Sequence, residues 1–196
     1  MIIRDEWLST YDTLRAHATT VEFSGVTNPY DGITYPDITV DIPEECLKEI
    51  QEKADDLLGT AVIKQIFMRL TSRNTQTPPH QAHPDNMMGT HTLILYLTDT
   101  GGTSLVEHIA TGMYAAPETQ ENWDAWNDDT NIPHKWRIYN MAMARENRVA
   151  IFDSRLMHRA EPVGGFGETA EDGRIVLTAF IDSERGFNYD DQDQTS

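Results

Sequence analysis

The sequence contains very little cysteine and few basic residues. Its 196 residues include one cysteine, Cys46, which excludes an intramolecular disulfide framework and a zinc site built from several thiolates. Lysine and arginine number 15 against 32 aspartates and glutamates, and the formal charge is −17. No cluster of basic residues interrupts this acidic excess, so we expect no binding to nucleic acid or to an anionic membrane surface.

Long apolar segments are also absent. The first ten residues, MIIRDEWLST, contain Arg, Asp and Glu and lead into no apolar run, which is not typical of a signal peptide. No later segment has the roughly 18 consecutive apolar residues of a membrane-spanning helix. We therefore expect a cytoplasmic protein. The length and a hydrophobic content of 39% suit a single domain, 1–196, with a buried core.

Helical periodicity is confined to the N-terminal part of the chain. Residues 5–17 carry apolar side chains at roughly helical spacing, which predicts a short helix. Residues 43–58 give the clearest helical pattern, with Pro43 near the first turn and Gly59 at the end. Between them, residues 20–42 are rich in β-branched and aromatic residues and indicate short strands and turns. Residues 1–60 are thus expected to support the remainder of the fold.

From residue 61 onward the pattern indicates strands. The predicted strands are 61–72, 90–99, 103–110, 148–154 and 174–182. We interpret residues 112–147 as an irregular insertion and residues 186–196 as an acidic, mobile tail. Helices followed by several short strands predict a mainly β fold with flanking helices (α+β), an antiparallel sandwich or barrel.

The segment HQAHPDN, residues 80–86, is the first candidate for a functional site. If His83 and Asp85 lie on one strand, their side chains point the same way and can reach one ion. A further histidine, His158, follows the apolar strand RVAIFDS. Two histidines and one carboxylate on a β scaffold form the facial triad that binds ferrous iron with open positions. Zinc is an alternative metal, and a polar turn is the alternative to a metal site.

Three further polar residues lie in apolar strands. Arg174 opens RIVLTAFID, where a buried guanidinium would need a carboxylate partner, although a surface position at the strand end is the alternative. Thr178 projects from the same face of that strand. The hydroxyl of Tyr96, inside LILYLTD, needs a hydrogen-bond partner if the ring is part of the core.

The remaining histidines of this region are weaker candidates. His80 precedes His83 by three residues and is an alternative ligand in a different geometry. His91 and His108 lie in predicted strands, and we expect them on strand surfaces rather than around a metal.

Together these features resemble the 2-oxoglutarate- and Fe(II)-dependent dioxygenases, especially the prolyl-hydroxylase-like branch. The resemblance covers roughly residues 61–182 and has four parts in the family's order. They are His83-Pro84-Asp85, Tyr96-Leu97 before Gly101-Gly102, IFDSRLMHRAEPV with His158, and GRIVLTAFI with Arg174.

The resemblance implies a fold and a metal site. The fold would be a double-stranded β-helix, a jelly-roll or cupin-like barrel, with the N-terminal helices packed on one sheet. His83, Asp85 and His158 would bind Fe(II). The presence of Asp85 favours hydroxylation, because halogenating relatives lack this carboxylate.

The resemblance also implies a cosubstrate site. Arg174 would pair with the distal carboxylate of 2-oxoglutarate, and Thr178 and Tyr96 would be neighbouring donors. Arg73 lies near where relatives place another contact to the cosubstrate or the substrate.

The implied activity is hydroxylation of a small-molecule or peptide substrate by O2, with release of succinate and CO2. Within the family, a peptidyl or free amino acid is the first substrate to expect, and the protein would be a monomer or a homodimer. Two other classes remain open. One is a jelly-roll binding or structural protein with a vestigial metal site, and the other is a zinc-dependent, cupin-like enzyme.

The insertion 112–147 contains three of the four tryptophans, Trp123, Trp126 and Trp136. They would form a substrate-contacting surface if the insertion is an active-site lid. The alternative is that they anchor the insertion on the barrel.

Overall fold

Eleven strands and three α-helices make up the described part of the chain. The computed structural model describes residues 1–27, 32, 34–75 and 81–184. In chain order the elements are β1 (Ile2–Arg4), α1 (Tyr11–Ala18), β2 (Val26–Thr27), β3 (Thr34–Tyr35), β4 (Ile38–Thr39), α2 (Glu44–Leu58), β5 (Ala61–Thr71), β6 (His91–Tyr96), β7 (Gly102–His108), α3 (Gln120–Asp129), a short 3-10 helix (Pro133–Lys135), β8 (Trp136–Met143), β9 (Arg148–Asp153), β10 (His158–Glu161) and β11 (Arg174–Ser183).

Two antiparallel sheets face each other across a cavity. The larger sheet has the strand order β1-β9-β6-β11-β5-β4, and the smaller sheet has the order β10-β7-β8. Strands distant in the sequence are neighbours in the larger sheet, where β11 pairs with both β5 and β6. This arrangement confirms the predicted mainly β fold with flanking helices and corresponds to a double-stranded β-helix.

The helices α1 and α2 cover the outer face of the larger sheet, as the resemblance implied. Along α2 the buried residues recur every four positions, at Cys46, Ile50, Ala54 and Leu58, so one helical face carries them all. They join a core cluster that also contains Leu14 of α1. The helices therefore cover one side of the sheet and leave its other side to the cavity.

The pleat of β11 divides its side chains between these two environments. Ile175, Leu177, Ala179 and Ile181 belong to the core cluster beneath the helices. The alternate residues Arg174, Val176, Thr178 and Phe180 line the cavity between the sheets. Because successive side chains of a strand point to opposite faces, one apolar-looking strand serves both the core and the cavity.

The first predicted helix is shorter than the sequence suggested. Helix α1 begins at Tyr11, and the prediction for residues 5–10 was wrong. Trp7 and Leu8 are nevertheless buried. Asn147 holds this segment, because its side chain accepts from the Leu8 backbone N–H and donates to the Leu8 carbonyl, each at 2.8 Å. Contacts with a distant residue thus satisfy backbone groups that a helix would otherwise have paired.

The insertion 112–147 is not irregular, and the prediction that it would be was wrong. Residues 112–147 contain the ten-residue helix α3 and the eight-residue strand β8. Strand β8 pairs with β7 and completes the smaller sheet. Its sequence, WRIYNMAM, lacks the regular apolar and polar alternation of a half-buried strand, which explains why the strand was missed.

Two other expectations fall outside the described residues. They concern His80 and the acidic segment 186–196. Among the residues that are described, no helix is long and apolar enough to cross a membrane.

Replacing Ile50 tests the contact between α2 and the larger sheet. Ile50→Ala removes a side chain that is fully buried in the core cluster, and we expect the free energy of unfolding to fall by about 2–5 kcal/mol. Urea unfolding followed by circular dichroism measures this change. Lys48→Ala, on the exposed side of the same helix, should change the unfolding free energy by less than about 0.5 kcal/mol. Equal losses in the two variants would contradict this packing.

Candidate functional site

Backbone hydrogen bonds bring the HPD segment against the start of β10. The His83 N–H donates to the His158 carbonyl at 3.0 Å, and the His158 N–H donates to the His83 carbonyl at 3.0 Å. The Asp85 N–H donates to the Ser154 carbonyl at 2.7 Å. The pairing at His83 is an isolated bridge rather than a strand, so the expectation that His83 and Asp85 share one strand was wrong. Both side chains still reach the same cavity.

His83, Asp85 and His158 form a compact group of possible metal ligands. One ligand atom from each lies within 4.8 Å of the others. The Nε2 atoms of His83 and His158 are 3.7 Å and 3.2 Å from the Asp85 carboxylate oxygens. Each Nδ1 instead faces a backbone carbonyl, that of Gln81 at 3.0 Å or that of Leu156 at 2.9 Å. A proton on Nδ1 satisfies these carbonyls and leaves both Nε2 lone pairs for a metal.

A second layer of contacts holds the ligands. The Thr92 hydroxyl donates to Asp85 Oδ2 at 3.0 Å and lies 3.0 Å from the Ser154 hydroxyl. The ring of Phe152 packs edge-on against His158, with 4.8 Å between the ring centroids. Such outer contacts orient ligating side chains and influence metal affinity.

The two histidines of the group differ in their tendency to bind a proton. Desolvation by the surrounding walls, with the nearby positive charge of His158, lowers the pKa of His83 to about 4. Burial also disfavours a charged His158, but the adjacent Asp85 carboxylate outweighs it and raises the pKa of His158. Burial similarly opposes ionisation of Asp85, yet His158 and its hydrogen bond bring the pKa of Asp85 below its ordinary value. The metal-free group thus holds its proton on His158.

The triad opens into a cavity of about 550 Å³ between the two sheets. This volume is typical of a small-molecule site. Its lining combines the three possible ligands with two arginines, two threonines and many apolar side chains. The residues are Val26, Tyr35, Ile38, Val40, Gln65, Phe67, Arg69, His83, Pro84, Asp85, Met87, Met88, Ile94, Thr103, Trp126, His158, Ala160, Arg174, Val176, Thr178 and Phe180.

Arg174 is buried in this cavity and is only partly paired. One terminal nitrogen donates to the Gly102 carbonyl at 3.2 Å. Its Nε is buried and has no hydrogen-bond partner in the part of the chain that the structure describes. Burial, together with the nearby positive charge of Arg69, lowers the pKa of Arg174. A buried guanidinium with a free donor is suited to an anionic ligand, and Thr178 lies on the same face of β11.

Two residues predicted around the cosubstrate lie elsewhere. The Tyr96 hydroxyl donates to the Ala142 carbonyl at 3.3 Å, and Tyr96 is not among the described residues that line the cavity. Arg73 donates to the Gly167 carbonyl at 3.2 Å and lies 3.7 Å from Glu168, also outside the cavity lining. The structure therefore brings Arg174 and Thr178 to the cavity, but neither Tyr96 nor Arg73.

The three tryptophans of the insertion have different positions. Trp126 lines the cavity, and its Nε1 donates to the Ala82 carbonyl at 2.7 Å. Trp123 packs edge-on against Trp126 and is 44% exposed. Trp136 is buried and donates to the Asp129 carbonyl at 2.8 Å. Only Trp126 combines a cavity position with an anchoring bond.

Helix α3 is tied directly to the segment that carries the possible ligands. Besides Trp126, the Thr130 hydroxyl donates to the Ala82 carbonyl at 2.7 Å, and the Ala82 N–H donates to the Thr130 carbonyl at 3.2 Å. Ala82 immediately precedes His83. The insertion and the triad therefore share one hydrogen-bonded junction.

His91 and His108 are buried, which corrects their assignment to strand surfaces. His91 opens a strand at the centre of the larger sheet, and its Nδ1 lies 2.8 Å from the Thr90 hydroxyl. His108 lies between the Thr111 hydroxyl and the Asp129 carboxylate, each at 3.0 Å. Both strands are central in their sheets and are covered by other elements, so position in a strand did not imply exposure.

Sequence reasoning missed Arg69 and Phe67, which line the cavity from β5. Phe67 and Arg69 are two residues apart in AVIKQIFMRLT, and Gln65 is two residues before Phe67. The three side chains therefore share a strand face. The sequence offered one signal for this part of the cavity, an arginine on the same strand face as a phenylalanine.

The hydroxyl of Thr92 should influence metal affinity. Thr92→Val removes the donor to Asp85 and keeps the side-chain shape, so we expect Ni²⁺ affinity to fall by about 10–100-fold. Calorimetric titration measures this change. Thr98→Val is the matched control, because the buried Thr98 hydroxyl has no hydrogen-bond partner in the described residues. An unchanged Ni²⁺ affinity in Thr92→Val would contradict the role of the Thr92 hydroxyl in holding Asp85.

Metal binding should release a proton from His158 near pH 6.5 and below. The raised pKa of His158 means that its proton competes with the metal up to a higher pH than that of an ordinary histidine, near 6.5. Ni²⁺ affinity should therefore fall as the pH decreases through that region. Calorimetry in two buffers of different ionisation enthalpy counts the protons released. A count of zero at pH 6.5 to 7, together with pH-independent affinity, would contradict the protonated His158.

This protein is similar to known proteins in its structure but not detectably in its sequence. No family model and no curated protein matches the sequence. A viral collagen prolyl hydroxylase from Paramecium Bursaria Chlorella virus-1 aligns with a TM-score of 0.54 and 13% identity, over 95% of this chain and 90% of that one. The non-heme alpha-ketoglutarate-dependent carbocyclase SnoK from nogalamycin biosynthesis aligns with a TM-score of 0.54 and 15% identity, over 100% and 86%.

A third similar structure was determined with ligands. HygX from Streptomyces hygroscopicus, bound to nickel, 2-oxoglutarate and hygromycin B, aligns with a TM-score of 0.50 and 10% identity, over 93% of this chain and 82% of that one. At these identities the likeness concerns the fold. The chain has the double-stranded β-helix fold expected from its resemblance to the 2-oxoglutarate-dependent oxygenases.

Proposed function

We propose that the protein is an Fe(II)- and 2-oxoglutarate-dependent oxygenase. One observation carries the proposal. The His83, Asp85 and His158 group opens into the same cavity as buried Arg174, whose Nε lacks a partner in the described residues. A site for a metal and a site for an anion thus lie on two walls of one cavity.

The donor set fits iron. Two imidazole nitrogens and one carboxylate form the triad of non-heme iron oxygenases, which leaves positions open for other ligands. The bonds from Nδ1 to Gln81 and Leu156 would keep both Nε2 atoms directed at the ion. Thr92 would hold the Asp85 carboxylate in place. Iron bound there would supply oxygen activation coupled to decarboxylation of 2-oxoglutarate to succinate and CO2.

Arg174 is proposed to bind the distal carboxylate of 2-oxoglutarate. Its Nε and remaining terminal donors suit a bidentate pair with a carboxylate. Thr178, on the same strand face, is the neighbouring hydroxyl donor. Tyr96 and Arg73 are not included in this contact, because their polar groups bond elsewhere.

We further propose hydroxylation as the reaction, because Asp85 is retained as the carboxylate ligand. The apolar walls contributed by Phe67, Met88 and Phe180 would restrict water near the reacting groups. The cavity volume supports a small molecule or one side chain of a peptide, with a peptidyl or free amino acid as first candidate. Trp126 would contact this substrate at the cavity wall. A cytoplasmic location, a monomer or homodimer and a single domain remain predictions.

Succinate formation tests the oxygenase. The protein is purified without oxygen, loaded with Fe(II) and 2-oxoglutarate, and exposed to air. We expect succinate from the wild type, none from Asp85→Ala, and a 2-oxoglutarate requirement about 10–100-fold higher in Arg174→Gln, since a hydrogen-bonded charge contributes about 1.5–3 kcal/mol. Arg137→Gln, at an exposed ion pair with Glu107, should match the wild type.

Anaerobic binding provides a second readout that is independent of turnover. Fe(II) and 2-oxoglutarate together should give a visible absorption band that Asp85→Ala loses. If folded wild-type protein gives neither succinate nor this band, the oxygenase is contradicted and a vestigial binding protein becomes the better explanation. A hydrolytic activity supported by Zn²⁺ and unaffected by Arg174→Gln would instead favour the cupin-like enzyme.

A further inference from the structure

Arg69 places a second guanidinium in the cavity. It lies on β5, where its strand neighbours are Val176 on β11 and Ile38 on β4. The side chain is half-buried and lines the cavity on the same strand face as Phe67. Strand β4 is the edge of the larger sheet, so Arg69 stands toward the side of the cavity, whereas Arg174 is buried in its interior.

No described residue forms a hydrogen bond or an ion pair with the Arg69 guanidinium. Asp37 is the acidic residue that attracts it most, but the Asp37 carboxylate accepts from the Thr75 hydroxyl at 2.9 Å and does not line the cavity. Burial lowers the pKa of Arg69 more than the nearby Asp37, Tyr35 and Asp85 raise it. Within the described part of the chain, Arg69 is therefore a partly desolvated cation whose donors are unused.

Counted over the lining residues alone, the loaded cavity keeps one positive charge. Among the lining residues, Asp85 is the single carboxylate, against the two guanidiniums of Arg69 and Arg174. A divalent metal adds two positive charges, and dianionic 2-oxoglutarate cancels two. One positive charge then remains within low-dielectric walls, where an unpaired charge is costly. A bound monoanion would neutralise it.

The surroundings of Arg69 restrict what that anion can be attached to. Beside Arg69 the cavity is lined largely by apolar side chains. Ile38, its strand neighbour, packs in one cluster with Phe67, Phe180, Val26, Tyr35 and Met88, and all six line the cavity. A highly charged or strongly hydrated molecule would lose its hydration against this wall. A planar carboxylate matches the guanidinium fork, and an apolar body matches the wall.

We propose that Arg69 determines substrate specificity by binding the carboxylate of a substrate with an apolar body. This inference rests on the proposed function for the metal and cosubstrate, and it assigns the two arginines different partners. Arg174, deep in the cavity with a buried and unused Nε, takes the cosubstrate. Arg69, half-buried beside the edge strand, takes the substrate. A simple aryl or alkyl acid belongs to this substrate class.

A pair of probes that differ in one charge tests the assignment. The protein is loaded with Ni²⁺ and 2-oxoglutarate and titrated by calorimetry with 4-phenylbutyrate or with its neutral amide. We expect the wild type to bind the acid at least about tenfold more tightly than the amide, because a hydrogen bond to a charged group is worth about 1.5–3 kcal/mol. Arg69→Gln should lose this preference while its affinity for the amide is unchanged.

Matched variants separate a specific contact from a general effect. Arg69→Lys keeps the charge without the planar fork and should recover part of the preference. Arg137→Gln also removes one positive charge, but at an exposed position, and should keep the full preference. Circular dichroism establishes that each variant is folded. Equal binding of acid and amide by the wild type, or no binding of either, would overturn the inference.

The cosubstrate titration distinguishes this inference from the proposed function. Ni²⁺ and 2-oxoglutarate are titrated first, without a probe, into the wild type and into both arginine variants. Arg174→Gln should weaken 2-oxoglutarate binding, and Arg69→Gln should leave it unchanged. Equal weakening in both variants would make Arg69 a cosubstrate contact and overturn the inference alone. Failure of the wild type to bind Ni²⁺ and 2-oxoglutarate would contradict the proposed function.

Discussion

The two backbone hydrogen bonds between His83 and His158 are the constraint on which the site depends. They join segments that are far apart in the sequence and fix the separation of two imidazoles. Asp85 is then placed by a third backbone bond, to Ser154. Side-chain contacts refine this arrangement, but the polypeptide backbone determines that the three groups meet. A site built in this way is coupled to the pairing of the sheets and is lost when that pairing is lost.

The two faces of β11 serve different parts of the molecule. Its apolar face stabilises the core beneath α1 and α2, and its other face presents Arg174 and Thr178. Burying a guanidinium is unfavourable unless it is paired. Here the surrounding strands are held by a large apolar cluster on the opposite side of the sheet, so the fold can retain an incompletely paired cation. The packing of the core and the lining of the cavity thus depend on alternate residues of one strand.

The sequence predicted much of this arrangement because the informative signals were local. Helix α2 followed from apolar residues that recur at spacings of three and four positions, and β11 from a continuous apolar and β-branched run. Strand β8 escaped prediction because apolar and polar residues do not alternate regularly in WRIYNMAM. The helix prediction for residues 5–10 was wrong for a different reason, because Asn147 and other distant groups form hydrogen bonds with the backbone of this segment. Similarly, Tyr96 bonds to Ala142 on the smaller sheet, a tertiary contact that no local pattern encodes.

The junction at Ala82 links two parts of the molecule that sequence reasoning treated separately. Its carbonyl accepts from both Trp126 and Thr130, and the next residue is His83. Helix α3 cannot shift away from the barrel without breaking these bonds or pulling on the peptide that precedes a possible metal ligand. The insertion is consequently not an independent module that could be exchanged freely between related scaffolds. During divergence, a change in the length or orientation of α3 would have to be accompanied by a compensating change before His83, which couples the evolution of the cavity wall to that of the possible metal ligands.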